Sequence, residues 1–175
     1  MQQNQISLSH RICMFGSLQI HNAGGPLLLK GEKSRSLLAY LVLHPRHIHR
    51  RETLADMLWP DAPPDRVRRN LSDLLYRFQK TMESVWLLVD GETIALQPNA
   101  NLWVDIWEFD ELIARNDVGG LERAVELYSG DLLPEIYEEW ILAGRELRRS
   151  QFLSALESLS AHHEAQGKLQ QALLY

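Results

Sequence analysis

The chain has 175 residues, of which 45% are hydrophobic and 23% charged, and its formal net charge is -5. This composition excludes a disordered chain, and the single cysteine excludes an internal disulfide. The longest apolar run, residues 37–43, is far too short to cross a bilayer, and the polar N-terminus lacks an apolar signal segment. We therefore expect a cytoplasmic protein with no membrane partner.

The net charge averages over two unlike parts of the chain. Residues 1–100 contain 12 Lys and Arg against 9 Asp and Glu, a net of +3, whereas residues 101–175 contain 6 against 14, a net of -8. Such asymmetry is typical of an anion-facing module joined to a module with a different partner. Chance segregation of charge in a small chain is the alternative.

Short apolar segments open the chain. Residues 11–15 and 18–21 flank Gly16-Ser17 and predict a hairpin, and residues 27–29 predict a third strand after a turn over residues 22–26. A first helix is predicted over residues 33–44, and Pro45 ends it. Its first turn carries Lys33, which can touch a phosphate if that end faces DNA.

Three histidines follow this helix. His44, His47 and His49 lie within six positions, but no cysteine pair is near them and their spacing is not the i, i+4 spacing of a helical metal site. We therefore predict solvated loop histidines rather than a zinc site. No cofactor is expected.

Two further helices come next, a short one over residues 50–59 and a longer one over residues 64–80. In the longer helix, apolar residues recur at spacings of three and four, which predicts a buried stripe: Val67, Leu71, Leu74, Leu75 and Phe78. Asp65 is expected to cap its first turn. The opposite face carries Arg66, Arg69, Asn70, Asp73, Arg77 and Lys80. Such a rod suits the DNA major groove, where Arg pairs with guanine and Asn with adenine; a solvated surface helix is the alternative.

The rest of the first part completes a recognisable order of elements. Residues 85–89 and 93–96 flank Asp90-Gly91, which is a strong hairpin signal. Strands, three helices and then a hairpin are the order of a winged helix, in which the hairpin is the wing. We predict an α+β winged helix-turn-helix domain over residues 1–104.

The pattern changes to helix from Asp105. Asp105 is predicted to cap a helix over residues 106–115, Gly119-Gly120 to interrupt the helical pattern, and further helices to cover residues 121–127, about 137–163, and onward from residue 168. Paired helices joined by glycine are the unit of helical repeat arrays, so we predict an all-α helical domain over residues 105–175. Because the last helix is uncapped at Tyr175, we expect a fragment of a longer protein.

Several motifs resemble a known family. Phe15-Gly-Ser-Leu18, Leu58-Trp-Pro-Asp61, Arg69-Asn-Leu71 and Trp103-Val-Asp105 resemble the N-terminal part of Streptomyces antibiotic regulatory protein (SARP) activators, whose winged helix is of the OmpR type. Tyr128-Ser-Gly-Asp131, Glu139-Trp140 and residues 159–167 resemble the bacterial transcriptional activator domain (BTAD) that follows it. This resemblance implies a fold of tetratricopeptide-like helix pairs in the second part of the chain. The resemblance implies a bacterial DNA-binding transcriptional activator that binds direct repeats in promoters and recruits RNA polymerase. No motif of a hydrolase, zinc protease or phosphate-binding loop occurs, so an enzyme is not expected.

The resemblance also implies the site. The recognition helix falls on residues 64–80, with Arg69 and Asn70 matching the family's Arg-Asn pair, and we expect base and phosphate contacts from Arg66, Arg69, Asn70, Arg77 and Lys80. We expect Arg50, Arg51 and Lys33 to hold the DNA backbone. The chain departs from the family's pattern at Ser72 and Asp73, where relatives carry basic residues. Asp73 on the groove-facing side would repel phosphate unless it pairs with Arg69 or Arg77 or accepts from a cytosine amino group.

Two hypotheses follow from these residues. The first is a sequence-specific transcriptional activator with modest and steeply salt-dependent affinity, because Asp90 and Glu92 make the wing tip acidic. It would bind DNA as a homodimer or in tandem. The second is a protein-interaction module whose winged helix has lost DNA binding, with Glu135, Glu138 and Glu139 near Trp140 meeting a basic partner.

Overall fold

The chain divides into two compact units. A computed structural model describes residues 10–82, 86–97 and 101–175. Unit 1 comprises the described residues up to Arg11 together with Gln19–Leu102, and unit 2 comprises Ile12–Leu18 and Trp103–Tyr175. Residues 12–18 therefore group with the second part of the chain, although the sequence pattern joins them to the first.

Unit 1 contains short strands and three helices. β1 (His10–Cys13) begins in this unit, and β2 (Gln19–Asn22) pairs antiparallel with β3 (Gly25–Leu27). The helices are α1 (Glu32–Leu43), α2 (Arg51–Leu58) and α3 (Pro64–Thr81). β4 (His49–Arg50), β5 (Leu87–Val89) and β6 (Thr93–Leu96) form an antiparallel sheet in the order β4-β6-β5.

The apolar sides of the three helices supply the core of unit 1. Leucines account for most of it because they fill a core in well-defined rotamers and suit helices. α1 contributes Leu37, Leu38 and Leu41, α2 contributes Leu54 and Leu58, and α3 contributes all five residues of its predicted stripe. The predicted buried face of α3 is therefore confirmed.

Two details of unit 1 differ from the sequence prediction. The third strand is Gly25–Leu27 instead of residues 27–29, because the Asn22 side chain accepts from the Gly24 amide at 2.9 Å and tightens the turn. Gly25 then takes a φ of 118°, which glycine adopts without strain. In α3, Asp65 does not cap the helix: Pro63 is the N-cap residue, no side chain bonds there, and Pro64 starts the first turn.

Unit 2 is mainly helical. Its elements are the greater part of β7 (Leu102–Val104), then α4 (Asp105–Arg115), α5 (Val118–Leu127), α6 (Glu139–Ala165) and α7 (Leu169–Ala172). Leu121, Ala155 and Leu159 form a buried cluster on which Tyr175 packs. Gly167 takes a φ of 71° between α6 and α7, as the predicted interruption requires.

Asp105 has a different role from the predicted helix cap. It is the first residue of α4, with Val104 at the N-cap position, and its buried carboxylate accepts from the Met14 amide at 2.7 Å and the Phe15 amide at 2.9 Å. These charge-assisted hydrogen bonds are among the stronger kinds, and they hold residues 12–18 in unit 2.

Gly119-Gly120 does not interrupt the helix. α5 begins at Val118, and Asp117 caps it by accepting from the Gly120 amide at 2.8 Å. A Cβ at Gly120 would lie 3.2 Å from the Leu112 carbonyl oxygen, so glycine permits the close approach of α4 and α5. Across the described residues, no helix combines the length and apolarity needed to cross a membrane.

Candidate nucleic-acid interface

One side of α3 presents charged side chains to solvent. Because a helix repeats every 3.6 residues, the residues between the buried positions face outward together. We give the name outer face of α3 to six of its exposed side chains: Arg66, Arg69, Asp73, Tyr76, Arg77 and Lys80. Asp65, Arg68 and Ser72 are exposed on α3 as well. Asn70 is partly buried at the edge of this face. Five of the six residues predicted for the DNA-facing side of α3 are therefore exposed.

Tyr76 lies on this face and was not among the predicted site residues. At about 100° per residue, Arg69, Tyr76 and Lys80 fall within about 40° of one another around the helix axis. Tyr76 is 69% exposed. The signal in the sequence was its spacing, seven residues after Arg69 and four before Lys80, but an aromatic residue in a helix is more often assigned to the core.

Asp73 pairs with neither arginine that the sequence suggested. The Arg77 Nε donates at 3.2 Å to the backbone oxygen of Asp73 instead of to its carboxylate. Among the described residues no ion pair involves the Asp73 carboxylate. An exposed carboxylate is thus available on the outer face of α3.

A depression of about 370 Å³ lies beside α3. Asn70, Asp73 and Arg77 line it from α3, Lys33 lines it from the first turn of α1, and Lys30 lines it from just before that helix. The fold therefore brings Lys33 close to the predicted recognition residues. The N-terminus of α1 borders the same depression, and the helix dipole favours anions there.

Arg51 connects α2, α3 and the β5–β6 hairpin. Its Nη2 donates to the Ser72 Oγ at 3.0 Å, and its Nη1 donates to the Asp90 backbone oxygen at 3.4 Å. Its backbone amide donates to the Glu92 oxygen at 2.8 Å. The guanidinium is thus engaged within the protein. Ser72, which departs from the family's basic pattern, is one of its acceptors.

The carboxylate of Asp90 closes the turn between β5 and β6. It accepts from the Glu92 amide at 2.8 Å, the Thr93 amide at 2.5 Å and the Thr93 hydroxyl at 2.9 Å. The hydrogen bond from the Thr93 amide is the main reason that the pKa of Asp90 is lowered. The acidic residue at the hairpin tip therefore stabilises the turn.

Arg50 and Arg68 flank a second depression, of about 270 Å³, between α2, α3 and the hairpin. Arg50 is exposed at the N-cap position of α2. Arg68 lies 3.5 Å from Glu52 in an exposed ion pair, which contributes little to stability. Arg68 was absent from the predicted site, although it follows Arg66 by two residues and is exposed.

The three histidines after α1 lie close together, and the rings of His44 and His49 also contact the Tyr40 ring. The rings of His44, His47 and His49 have centroids 5.8 to 6.0 Å apart, and the His44 Nδ1 lies 2.8 Å from the Tyr40 oxygen. Burial lowers the pKa of His49. Within residues 10–82, 86–97 and 101–175, no set of three His, Cys, Asp or Glu side chains is placed to hold a metal ion.

The acidic cluster proposed as a partner surface is only partly free. The Glu135 Oε1 accepts from the Leu18 amide at 3.0 Å inside unit 2. Glu139 is exposed, whereas Glu138 and Trp140 are partly buried. The three glutamates therefore do not form one uniform exposed patch.

Comparisons with known proteins bear on the fold. No family model and no curated protein sequence matches the chain. A solved structure of EmbR from Mycobacterium tuberculosis, in complex with a low-affinity phosphopeptide, is similar, with a TM-score of 0.75 and 18% sequence identity. The match covers 91% of this chain and 47% of the EmbR chain, so this chain spans about half the length of that protein. This likeness supports the SARP-like fold expected from the sequence.

Proposed function

We propose that the chain is a sequence-specific DNA-binding transcriptional regulator in which unit 1 is an OmpR-type winged helix. The observation that carries the proposal is the outer face of α3, where Arg66, Arg69, Arg77 and Lys80 are exposed on a helix held by five buried side chains. A rigid helix with arginines on one side fits the major groove, which is wide enough to admit it. The resemblance to EmbR supports the fold that the proposal requires.

The side chains divide into base-reading and backbone-holding groups. Arg69 and Asn70 read bases, and Asp73 accepts from a cytosine amino group because its carboxylate is exposed and pairs with no described arginine. Arg66, Arg77 and Lys80 reach bases or nearby phosphates along α3. Arg50 and Lys33 hold the DNA backbone at the two ends of the site. Phosphate contacts position the protein, and base contacts give specificity.

Arg51 contributes indirectly to the proposed DNA binding. Its guanidinium donates to Ser72 and Asp90, so it fixes the hairpin against α3 before DNA arrives. A pre-positioned wing binds with a smaller loss of conformational entropy.

Two substitutions test the assignment of α3. Arg69→Ala should cost about 1–3 kcal/mol at the preferred sequence and relax base preference there, whereas Lys80→Ala should weaken all sequences about equally and lower the salt slope by about one. Arg123→Ala is the matched control, because Arg123 is exposed on α5 in unit 2. If both α3 variants bind duplex DNA as the wild type does, α3 is not the DNA-binding element.

The competing function is a protein-interaction module that no longer binds DNA. Titration of labelled duplex at low and physiological salt separates the two, because electrostatic binding to phosphates is strongest at low salt. Absence of uptake at low salt would favour the interaction module.

The arrangement of bound sites tests the activator architecture. Direct repeats separated by whole helical turns in selected genomic fragments would support tandem binding, and inverted repeats would imply a two-fold homodimer. Contact with RNA polymerase belongs to the same proposal, and co-purification of polymerase with the DNA-bound protein tests it.

A further inference from the structure

Tyr76 is an exposed aromatic residue on a helix whose buried positions are filled by other side chains. Val67, Leu71, Leu74, Leu75 and Phe78 of the same helix are at most 3% exposed, whereas Tyr76 is 69% exposed. Among the described residues its hydroxyl forms no hydrogen bond. Single exposed aromatics are common on protein surfaces, so exposure alone carries little weight. The position of Tyr76 on α3 carries the argument.

Tyr76 lies between two cations on the line of α3 that faces outward most directly. Arg69 precedes it by seven residues, about 10.5 Å along the helix axis, and Lys80 follows it by four residues, about 6 Å. Because base pairs are stacked about 3.4 Å apart, residues 69 and 76 are separated by the height of about three base pairs. A helix that presents Arg69 to a base edge therefore presents Tyr76 to the same groove.

The major groove offers one apolar group to such a ring. Only thymine displays a methyl group there, at C5, and apolar side chains contact it. Guanine, adenine and cytosine display hydrogen-bonding groups, which a ring face cannot satisfy. The phenol ring of Tyr76 suits the methyl group, and its hydroxyl stays free for water or a phosphate oxygen.

We propose that Tyr76 is a specificity-determining residue that packs its ring against the 5-methyl group of a thymine in the recognised site. This inference rests on the proposed function, because it requires α3 to lie in the major groove. It adds a base that the charged residues of α3 do not read, since arginine selects guanine and the exposed Asp73 selects cytosine.

The test removes the methyl group and the ring separately. Preferred duplexes are first selected from a random library with the wild-type chain, and each thymine is then replaced by uracil, which lacks only the methyl group. For the wild type, uracil at one position should weaken binding about fourfold, which corresponds to the ~0.8 kcal/mol lost when one buried methyl-sized group returns to water. The Tyr76→Phe variant keeps the ring, so uracil should weaken its binding by the same factor. The Tyr76→Ala variant should bind the thymine and uracil duplexes equally.

Tyr137→Ala is the matched control, because Tyr137 is 85% exposed in unit 2 and lies outside α3. It should retain the full discrimination between thymine and uracil. Circular dichroism of each variant checks the fold, which should be unchanged since both tyrosines are exposed. The inference is overturned if uracil costs the wild type nothing at every position, or if Tyr76→Ala retains the loss.

Two outcomes separate this inference from the proposed function. If Arg69→Ala weakens binding but Tyr76→Ala leaves thymine discrimination intact, α3 reads DNA and only the role of Tyr76 is wrong. If Arg69→Ala and Lys80→Ala both bind as the wild type does, the proposed function and this inference fail together.

Discussion

Replacing Arg51 by alanine distinguishes a structural clamp from a phosphate contact. In the native protein the Arg51 guanidinium bridges α3 and the β5–β6 hairpin through Ser72 and the Asp90 backbone oxygen. If these bonds position the wing, Arg51→Ala should lower both protein stability and DNA affinity. It should leave the salt dependence of binding unchanged, because no protein–phosphate pair is removed.

The expected magnitude follows from the two bonds. Hydrogen bonds to a charged group contribute about 1.5–3 kcal/mol when buried, and these exposed bonds contribute less, about 0.5–1 kcal/mol each. The total, about 1–2 kcal/mol, corresponds to a fall in Tm of about 2–4 °C for each kcal/mol in a chain of this size. If DNA binding must supply the same free energy to reposition the wing, DNA affinity falls by a factor of about 5–30.

The assay compares two neighbouring arginines. Fluorescence anisotropy with a selected duplex, repeated over a series of salt concentrations, gives affinity and the slope of log affinity against log salt for Arg51→Ala and Arg50→Ala. Arg50 is exposed beside the same depression, so it serves as the matched phosphate contact. Arg50→Ala should lower the slope by about 0.9 with little change in Tm.

The opposite pattern would refute the clamp. If Arg51→Ala lowers the salt slope by about one while Tm stays at the wild-type value, the guanidinium leaves Ser72 to contact a phosphate. The bonds seen in the free protein would then describe only its resting position.

Three carboxylates give further predictions. Asp105→Ala should lower the free energy of unfolding of unit 2 by about 2–4 kcal/mol, because two amides in residues 12–18 lose their buried acceptor; urea unfolding measures this, and a loss under about 1 kcal/mol would contradict it. Burial raises the pKa of Asp110, so the folded state favours the protonated carboxyl. The free energy of unfolding is therefore highest below the unfolded pKa near 3.8, and it falls as pH rises through the raised folded pKa. Asp110→Asn should therefore flatten the stability profile over that interval, and an unchanged profile would argue against the raised pKa. The lowered pKa of Asp90 has the opposite effect on the pH dependence of stability. The ionised carboxylate stabilises the folded state above the unfolded pKa, and this stabilisation is lost as pH falls through the folded pKa. Asp90→Ala should speed amide hydrogen exchange at Thr93, whereas equal exchange rates in variant and wild type would show that the turn closes without the carboxylate.

Local patterns were sufficient to predict the helices of unit 1. The period of Val67, Leu71 and Leu74 predicted which side of α3 is buried, and Pro64 predicted where the helix begins. Both signals act over one or two helical turns, so they are present in any short window of sequence. The order of elements likewise predicted a fold of the kind that EmbR shows.

Short strands were harder to predict for a physical reason. β4 has two residues and β7 has three, which is too short for an alternating pattern to develop. β4 becomes a strand because it pairs with β6, placing His49 opposite Ile94. Its conformation is set by a partner more than forty positions away in the chain.

The sequence by itself determined the two faces of α3 and the residue types on them, because side-chain direction in a helix depends only on position along it. Tertiary structure decided which polar side chains along the chain are engaged by distant residues. Arg51 reaches Ser72 across 21 positions, and Asp105 holds Met14 across 91. Hydrogen bonds between such distant residues exist only after the chain has folded, so no local pattern could show that Arg51 is engaged, that Asp105 holds another segment, or that the Asp73 side chain stays exposed.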